Sequence, residues 1–163
     1  MKNIVLIGMP GCGKTTLGRM ISRELKRKFY DVDNYIEEKT QKKISELFKN
    51  GEDHFRDIES KAVKELAEMD DLIISTGGGV IKRTENIDML KTNGIVIFID
   101  RPVDNIIGDV DISKRPLLKD GKDKVLKLYE ERYEIYKAAA DVIIVNDCCL
   151  DEVKNKILTV SIK

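Results

Sequence analysis

The sequence predicts an α/β fold, a central five-stranded parallel sheet with helices on both faces, on two observations. Short apolar runs alternate with longer charged, helix-periodic segments along the whole chain. Strands separated by helices join through right-handed crossovers into a parallel sheet covered on both sides. The first run, Ile4–Ile7, is apolar at every position, as a central strand buried on both faces requires. It delivers directly into Gly8-Met9-Pro10-Gly11-Cys12-Gly13-Lys14-Thr15, the G-x-x-x-x-G-K-T spacing of a phosphate-binding loop.

The elements follow in order. After the loop, Lys14–Lys28 reads as a helix whose N-terminal dipole adds to the anion site. Further strands are predicted at Lys28–Asp31, Leu72–Ser75, Ile95–Ile99 and Val142–Val145. Their short apolar or aromatic runs give way each time to charge or turn residues. Between and after them, helical periodicity marks Asp33–Lys39, Ile44–Asn50, Glu52–Met69, Arg83–Lys91, Lys122–Ala139 and Leu150–Leu158. Gly108–Gly121 breaks the rhythm, with no clear period, mixed charge and several turn residues. A loop of that length beside the carboxyl ends of the strands reads as a mobile lid over 108–121.

At 163 residues the chain is expected to form one domain, residues 1–163, with no repeat or linker to divide it. Its 29 basic and 29 acidic residues cancel, so no global field draws it to nucleic acid or an anionic membrane. No stretch has the length of a membrane span. The three cysteines, Cys12, Cys148 and Cys149, have no C-x-x-C spacing, which argues against a disulfide framework or a zinc site and for a reducing cytoplasm. A monomer is expected.

The phosphate loop carries the first chemistry. Glycines let consecutive N–H groups turn inward on phosphate oxygens. Lys14 reaches the β- and γ-phosphates, and the Thr15 hydroxyl ligates Mg²⁺. Gly11, Cys12, Gly13, Lys14, Thr15 and Thr16 are thus the expected nucleoside-triphosphate contacts. No N-K-x-D signature of GTP-specific proteins is present, and the strand Leu72–Ser75 ends without the acidic residue of the large ATPases. Asp31-Val32-Asp33 ends the second strand, and alternation would put both carboxylates on one side, facing the cleft. One would support Mg²⁺ through water and the other accept a substrate hydroxyl proton; a plain strand end with a helix N-cap is the alternative.

Arg56 and Glu59 are three apart on a helix, so the carboxylate can hold the guanidinium for capture of an anionic substrate; a solvated surface pair is the competing view. Gly77-Gly78-Gly79 follows a strand directly and gives a ligand access to backbone amides, unless it is only a flexible turn. Arg115, inside the predicted lid, would neutralise charge on a transferring phosphoryl group. Arg132, on the long helix after it, is either a second cationic anchor or an ordinary helix-face charge. His54 is given no role.

Taken together, the G-x-x-G-x-G-K-T loop, F-Y-D-x-D at Phe29–Asp33, G-E-x-x-F-R-x-x-E at Gly51–Glu59, S-T-G-G-G at Ser75–Gly79, R-P-L-L at Arg115–Leu118 and E-R-x-x-x-Y at Glu131–Tyr136 resemble the shikimate kinase family in order and spacing. The resemblance implies a three-layer α/β/α P-loop kinase fold. It also implies transfer of the ATP γ-phosphoryl group to the 3-hydroxyl of shikimate, with Mg²⁺. By that resemblance residues about 33–60 form the shikimate-binding region, and Asp33, Arg56, Gly78 and Arg132 contact shikimate; Gly77 and Gly79, from the reading of the glycine run, are expected contacts beside Gly78. Asp33 would accept a hydrogen bond from the reacting hydroxyl, and Arg56 and Arg132 would clamp the carboxylate. Lys14 and Arg115 would stabilise the phosphoryl group, Thr15 would ligate Mg²⁺, and Asp31 would act on the metal through water. Many members carry an arginine near the start of the lid that stacks on adenine; here Ile106-Ile107-Gly108-Asp109 supplies none. Adenine contact then falls to another segment, such as the Asn146–Leu150 loop. Another P-loop small-molecule kinase, gluconate- or nucleoside-monophosphate-specific, and a non-catalytic ATP-binding regulator remain the alternatives.

Overall fold

A computed structural model of the chain describes residues 1–109 and 118–161, the side chains of 118–120 excepted. The predicted Arg115 and most of the predicted lid therefore lie outside the described residues, while its last four, 118–121, are helix rather than loop. Five strands, β1 (Asn3–Ile7), β2 (Lys28–Asp31), β3 (Leu72–Ser75), β4 (Gly94–Asp100) and β5 (Val142–Val145), form one sheet in the order β2-β3-β1-β4-β5. Every neighbouring pair is parallel. β1 lies at the centre and is buried throughout, as its unbroken apolar run requires.

Right-handed crossovers assign the layers. The step from β1 out to β2 puts α1 (Lys14–Leu25) on one face, where it meets α8 (Leu150–Ser161). The steps in the other direction, β2 to β3 to β4 to β5, put the remaining helices on the opposite face. These are α2 (Val32–Thr40), α3 (Ile44–Phe48), α4 (Glu52–Ala67), α5 (Thr84–Thr92), α6 (Val103–Gly108) and α7 (Leu118–Ala139). The core joins both layers through Leu6, Leu17, Ile21, Leu66, Ile74, Phe98, Tyr136 and Ile157, all essentially without solvent contact.

Three local differences from the sequence reading have physical reasons. α1 stops at Leu25 rather than Lys28, because Lys26 takes the left-handed conformation (φ 55°) and its N–H bonds back to Ser22 O, ending the helix as a C-cap does. Asp31, not Asp33, is the N-cap of α2: its Oδ1 accepts from the Asn34 N–H at 3.2 Å. The chain turns helical at Val32, so strand alternation does not relate the two carboxylates. Finally, α6 and a short 3₁₀ turn at Val80–Lys82 were not expected, since each is too short to show a helical period.

This topology brings five strand ends to one rim. The phosphate loop leaves β1, Asp31 ends β2, Thr76–Gly79 leave β3, Arg101 follows β4 and Asn146 follows β5. In an open parallel sheet that rim is where ligands bind.

Candidate active site

Lys14 is a cation fixed at the rim. It is buried, and its Nζ donates to the Gly8 and Met9 carbonyls at 2.8 and 2.9 Å. Gly13 precedes it at φ 101° with Asn146 Nδ2 close against the position a Cβ would take; a side chain there would be both strained and crowded. Cys12 is buried; its carbonyl accepts from Asn146 Nδ2 at 2.9 Å and its Sγ lies 3.6 Å from Lys14 Nζ.

The Thr15 hydroxyl donates to Asp31 Oδ2 at 3.0 Å. Asp31 thus caps α2 with one oxygen and faces the phosphate loop with the other. A hydroxyl and a carboxylate side by side beside a phosphate site suit a hard cation that keeps several waters, which is the habit of Mg²⁺. Among the described residues no group of three or more His, Cys, Asp and Glu could hold a metal by itself.

Asp33 is the second residue of α2, in its first turn, and is half-buried. A methyl group on Gly77 would stand 3.2 Å from Asp33 Oδ1 and 3.3 Å from Glu59 Oε2. Burial raises the Asp33 pKa above its ordinary value and the Asp31 charge adds to this; Lys14 and Arg56 act against it. The carboxylate therefore lies among the charges of the phosphate-loop Lys14, Asp31 at the end of β2 and Arg56 of α4.

Arg56 is no surface charge. It is buried, its Nη1 donates to Glu59 Oε1 at 2.7 Å, and Glu59 itself is 1% exposed. Nη2 lies 3.4 Å from Glu52 Oε1, and the guanidinium stacks over Phe55 and Phe48 at 5.1 and 5.8 Å. The i,i+3 spacing read from the sequence is thus a desolvated, oriented pair. A methyl group on Gly79 would fall on that guanidinium, and one on Gly78 would stand 3.4 Å from Arg132 Nη1 and 2.8 Å from Pro10 Cδ. The two arginines thus lie against neighbouring glycines of one loop.

Tyr136, one turn after Arg132, holds this loop from beneath. Its hydroxyl donates to Gly78 O at 2.5 Å and its ring stacks on Phe98; burial pushes its pKa up to about 12. Tyr136→Phe should keep the stack and leave the Gly78 carbonyl without its donor. The expected cost is about 1–3 kcal/mol of stability, read from the urea midpoint; an unchanged midpoint would mean the hydrogen bond carries no net stability.

On the other side of the phosphate loop lies a cavity of about 580 Å³, a size usual for small-ligand sites. Gly11, Gly13, Lys14, Thr15 and Thr16 form its floor, with Asn146, Asp147, Cys148 and Leu150 on one side and Arg101, Asn105 and Asp109 also lining it. Its floor is made of residues named by the phosphate-loop motif, and the Asn146–Leu150 segment lies beside it. Arg101 also lines it, and its only sequence signal is a basic residue placed directly after a strand.

The family model for shikimate kinase matches residues 10–161. The chain belongs to the shikimate kinase family. Shikimate kinases of Clostridium botulinum (strain Alaska E43 / Type E3) and Clostridium beijerinckii are each 60% identical to it over 158 residues, covering 96% of this chain and 96% and 94% of theirs. Among solved structures, a shikimate kinase from Acinetobacter baumannii in complex with shikimate superposes with a TM-score of 0.88 at 34% identity, covering 98% of this chain and 92% of that one. The Aquifex aeolicus shikimate kinase gives 0.84 at 37%, covering 96% and 94%. The three-layer P-loop kinase fold expected from the motifs is thus the fold of its shikimate kinase relatives.

Proposed function

We propose that this shikimate kinase works by holding the shikimate carboxylate between Arg56 and Arg132 and presenting the 3-hydroxyl to the γ-phosphoryl group of ATP beside Asp33. The observation that carries this is that one glycine loop gathers all three groups, Arg56 against Gly79, Arg132 against Gly78 and Asp33 against Gly77, with Pro10 of the phosphate loop also against Gly78. Two guanidiniums suit a carboxylate, and an aspartate suits a hydroxyl donor. In this proposal Asp33 accepts the hydroxyl proton, or a hydrogen bond from it, as the 3-oxygen bonds to the γ-phosphorus and the bond from that phosphorus to the β,γ-bridging oxygen breaks, the electron pair leaving with ADP. Lys14 exchanges its loop carbonyls for β- and γ-phosphate oxygens. Thr15 and, through water, Asp31 would hold Mg²⁺, which when bound neutralises charge on the β- and γ-phosphates. Arg115 belongs to the proposal through its R-P-L-L motif alone.

Balanced charge supports a small-molecule substrate over nucleic acid. Among the described residues no helix is long and apolar enough to cross a membrane. A cytoplasmic, monomeric enzyme is part of the same proposal.

An ADP-release assay with ATP and Mg²⁺, comparing shikimate with quinate, gluconate and nucleoside monophosphates, tests it. Turnover with shikimate is expected; turnover only with another acceptor would overturn the clamp. Gly79→Ala probes the clamp sterically, since φ −93° at Gly79 accepts alanine but the new methyl displaces Arg56. The shikimate KM should rise while the ATP KM holds, at a stability cost of about 1–3 kcal/mol. Equal behaviour of the two KM values would show that Arg56 is not displaced.

A further inference from the structure

Arg101 is fixed at two points on the rim of the nucleotide cavity. Nη1 donates to the Gly11 carbonyl at 2.8 Å, and Nη2 meets Asp109 Oδ2 at 2.6 Å. The residue before it, Asp100, accepts from the Asn146 N–H at 2.8 Å, so the Asn146–Leu150 loop starts beside Arg101. Two bonds to separate partners define the plane of a guanidinium, and the Arg101 side chain, 21% exposed, lines the cavity.

The cavity has a cation at its phosphate end, Lys14. Among its described lining residues the other cation is Arg101, and none is aromatic. A purine needs a flat or apolar partner on its faces. Cys148 and Leu150 provide apolar surface on the loop side, and a planar guanidinium provides a favourable partner for a π face.

We propose that Arg101 recognises the base of the bound nucleotide by stacking its guanidinium on the purine, with Asp109 setting the orientation of that plane. This rests on the reading that the cavity takes ATP. Asp109 then has a second consequence. By offsetting the charge of Arg101 it leaves the guanidinium as a flat stacking surface and leaves attraction of the phosphates to Lys14.

The test compares ADP with inorganic tripolyphosphate, which has the charge but no base, on the intact enzyme by calorimetry. Arg101→Met keeps the aliphatic stem that packs on the rim. ADP affinity should fall by about three- to thirtyfold, while tripolyphosphate affinity and the shikimate KM stay within about twofold. Arg101→Lys, which keeps charge without the plane, should not restore ADP affinity. If ADP and tripolyphosphate weakened together, Arg101 would be a brace for Gly11 or a phosphate contact, and the proposal would be wrong. Unchanged ADP affinity would also overturn it, and both outcomes leave the ATP reading standing. Wild-type enzyme that bound tripolyphosphate but not ADP would remove the ATP reading and this proposal together.

Discussion

Asp33→Asn should abolish most turnover and yet not lower stability. The loss in kcat is expected at about 10²–10⁴-fold, the usual contribution of a positioned proton acceptor, with ADP affinity nearly unchanged because the phosphate loop is untouched. The stability half of the prediction comes from the electrostatics. Burial first, and the Asp31 charge second, raise the Asp33 pKa above its ordinary value despite Lys14 and Arg56. The folded protein thus binds the proton more tightly than the unfolded chain does, so at neutral pH the ionised carboxylate opposes folding. As pH falls through the raised pKa, Asp33 takes up its proton and that opposition disappears. Asparagine removes the charge outright, and its thermal midpoint at pH 7 should equal or exceed that of the wild type. The proposed role uses the ionised carboxylate, so the same shift should place the acid limb of wild-type kcat/KM above the ordinary aspartate range. Near-normal kcat in Asp33→Asn would end its role at the reacting hydroxyl. A large drop in thermal midpoint would show that the cations outweigh the burial.

How much of this site could be read from the sequence depends on how far apart the partners lie. The phosphate loop, the Arg56–Glu59 pair and the triple glycine are each contained in a few residues, so spacing along one loop or helix turn revealed them. Sheet order was a different matter. Arg101 reaches Gly11 only because β4 is the neighbour of β1, and no local pattern records that adjacency. Tyr136 read as one residue of a helical motif; that its hydroxyl ends on Gly78 depends on how α7 crosses the rim. Asp31 shows a correct expectation reached through the wrong geometry. The pair Asp31-x-Asp33 does face the cleft, but the first turn of α2, not strand alternation, puts it there. The burial of Arg56 was beyond sequence reasoning too, because an i,i+3 ion pair looks the same on a wet surface and under two phenylalanines.

That burial makes Arg56→Ala the other large effect, and a compound one. Removing the guanidinium should weaken acceptor binding by about 2–5 kcal/mol, the usual loss when one member of a desolvated charge contact is truncated, seen as a raised shikimate KM with the ATP KM little changed. It also strands Glu59, which is 1% exposed and whose pKa burial already raises even with Arg56 opposing. An unpaired buried carboxylate costs about 3–5 kcal/mol, so the single variant should be markedly unstable at pH 7. With Arg56 gone the Glu59 pKa rises further above its unfolded value. The native state then gains protons relative to the unfolded chain as pH falls, and the variant should recover stability on acidification. Arg56→Ala combined with Glu59→Gln separates the two effects. Neutralising the stranded carboxylate should return most of the stability at pH 7, measured by urea unfolding, without returning acceptor affinity. A double variant that regained a near-normal shikimate KM would mean that Arg56 serves only to neutralise Glu59, and the acceptor's carboxylate would then have to be held by Arg132 without it.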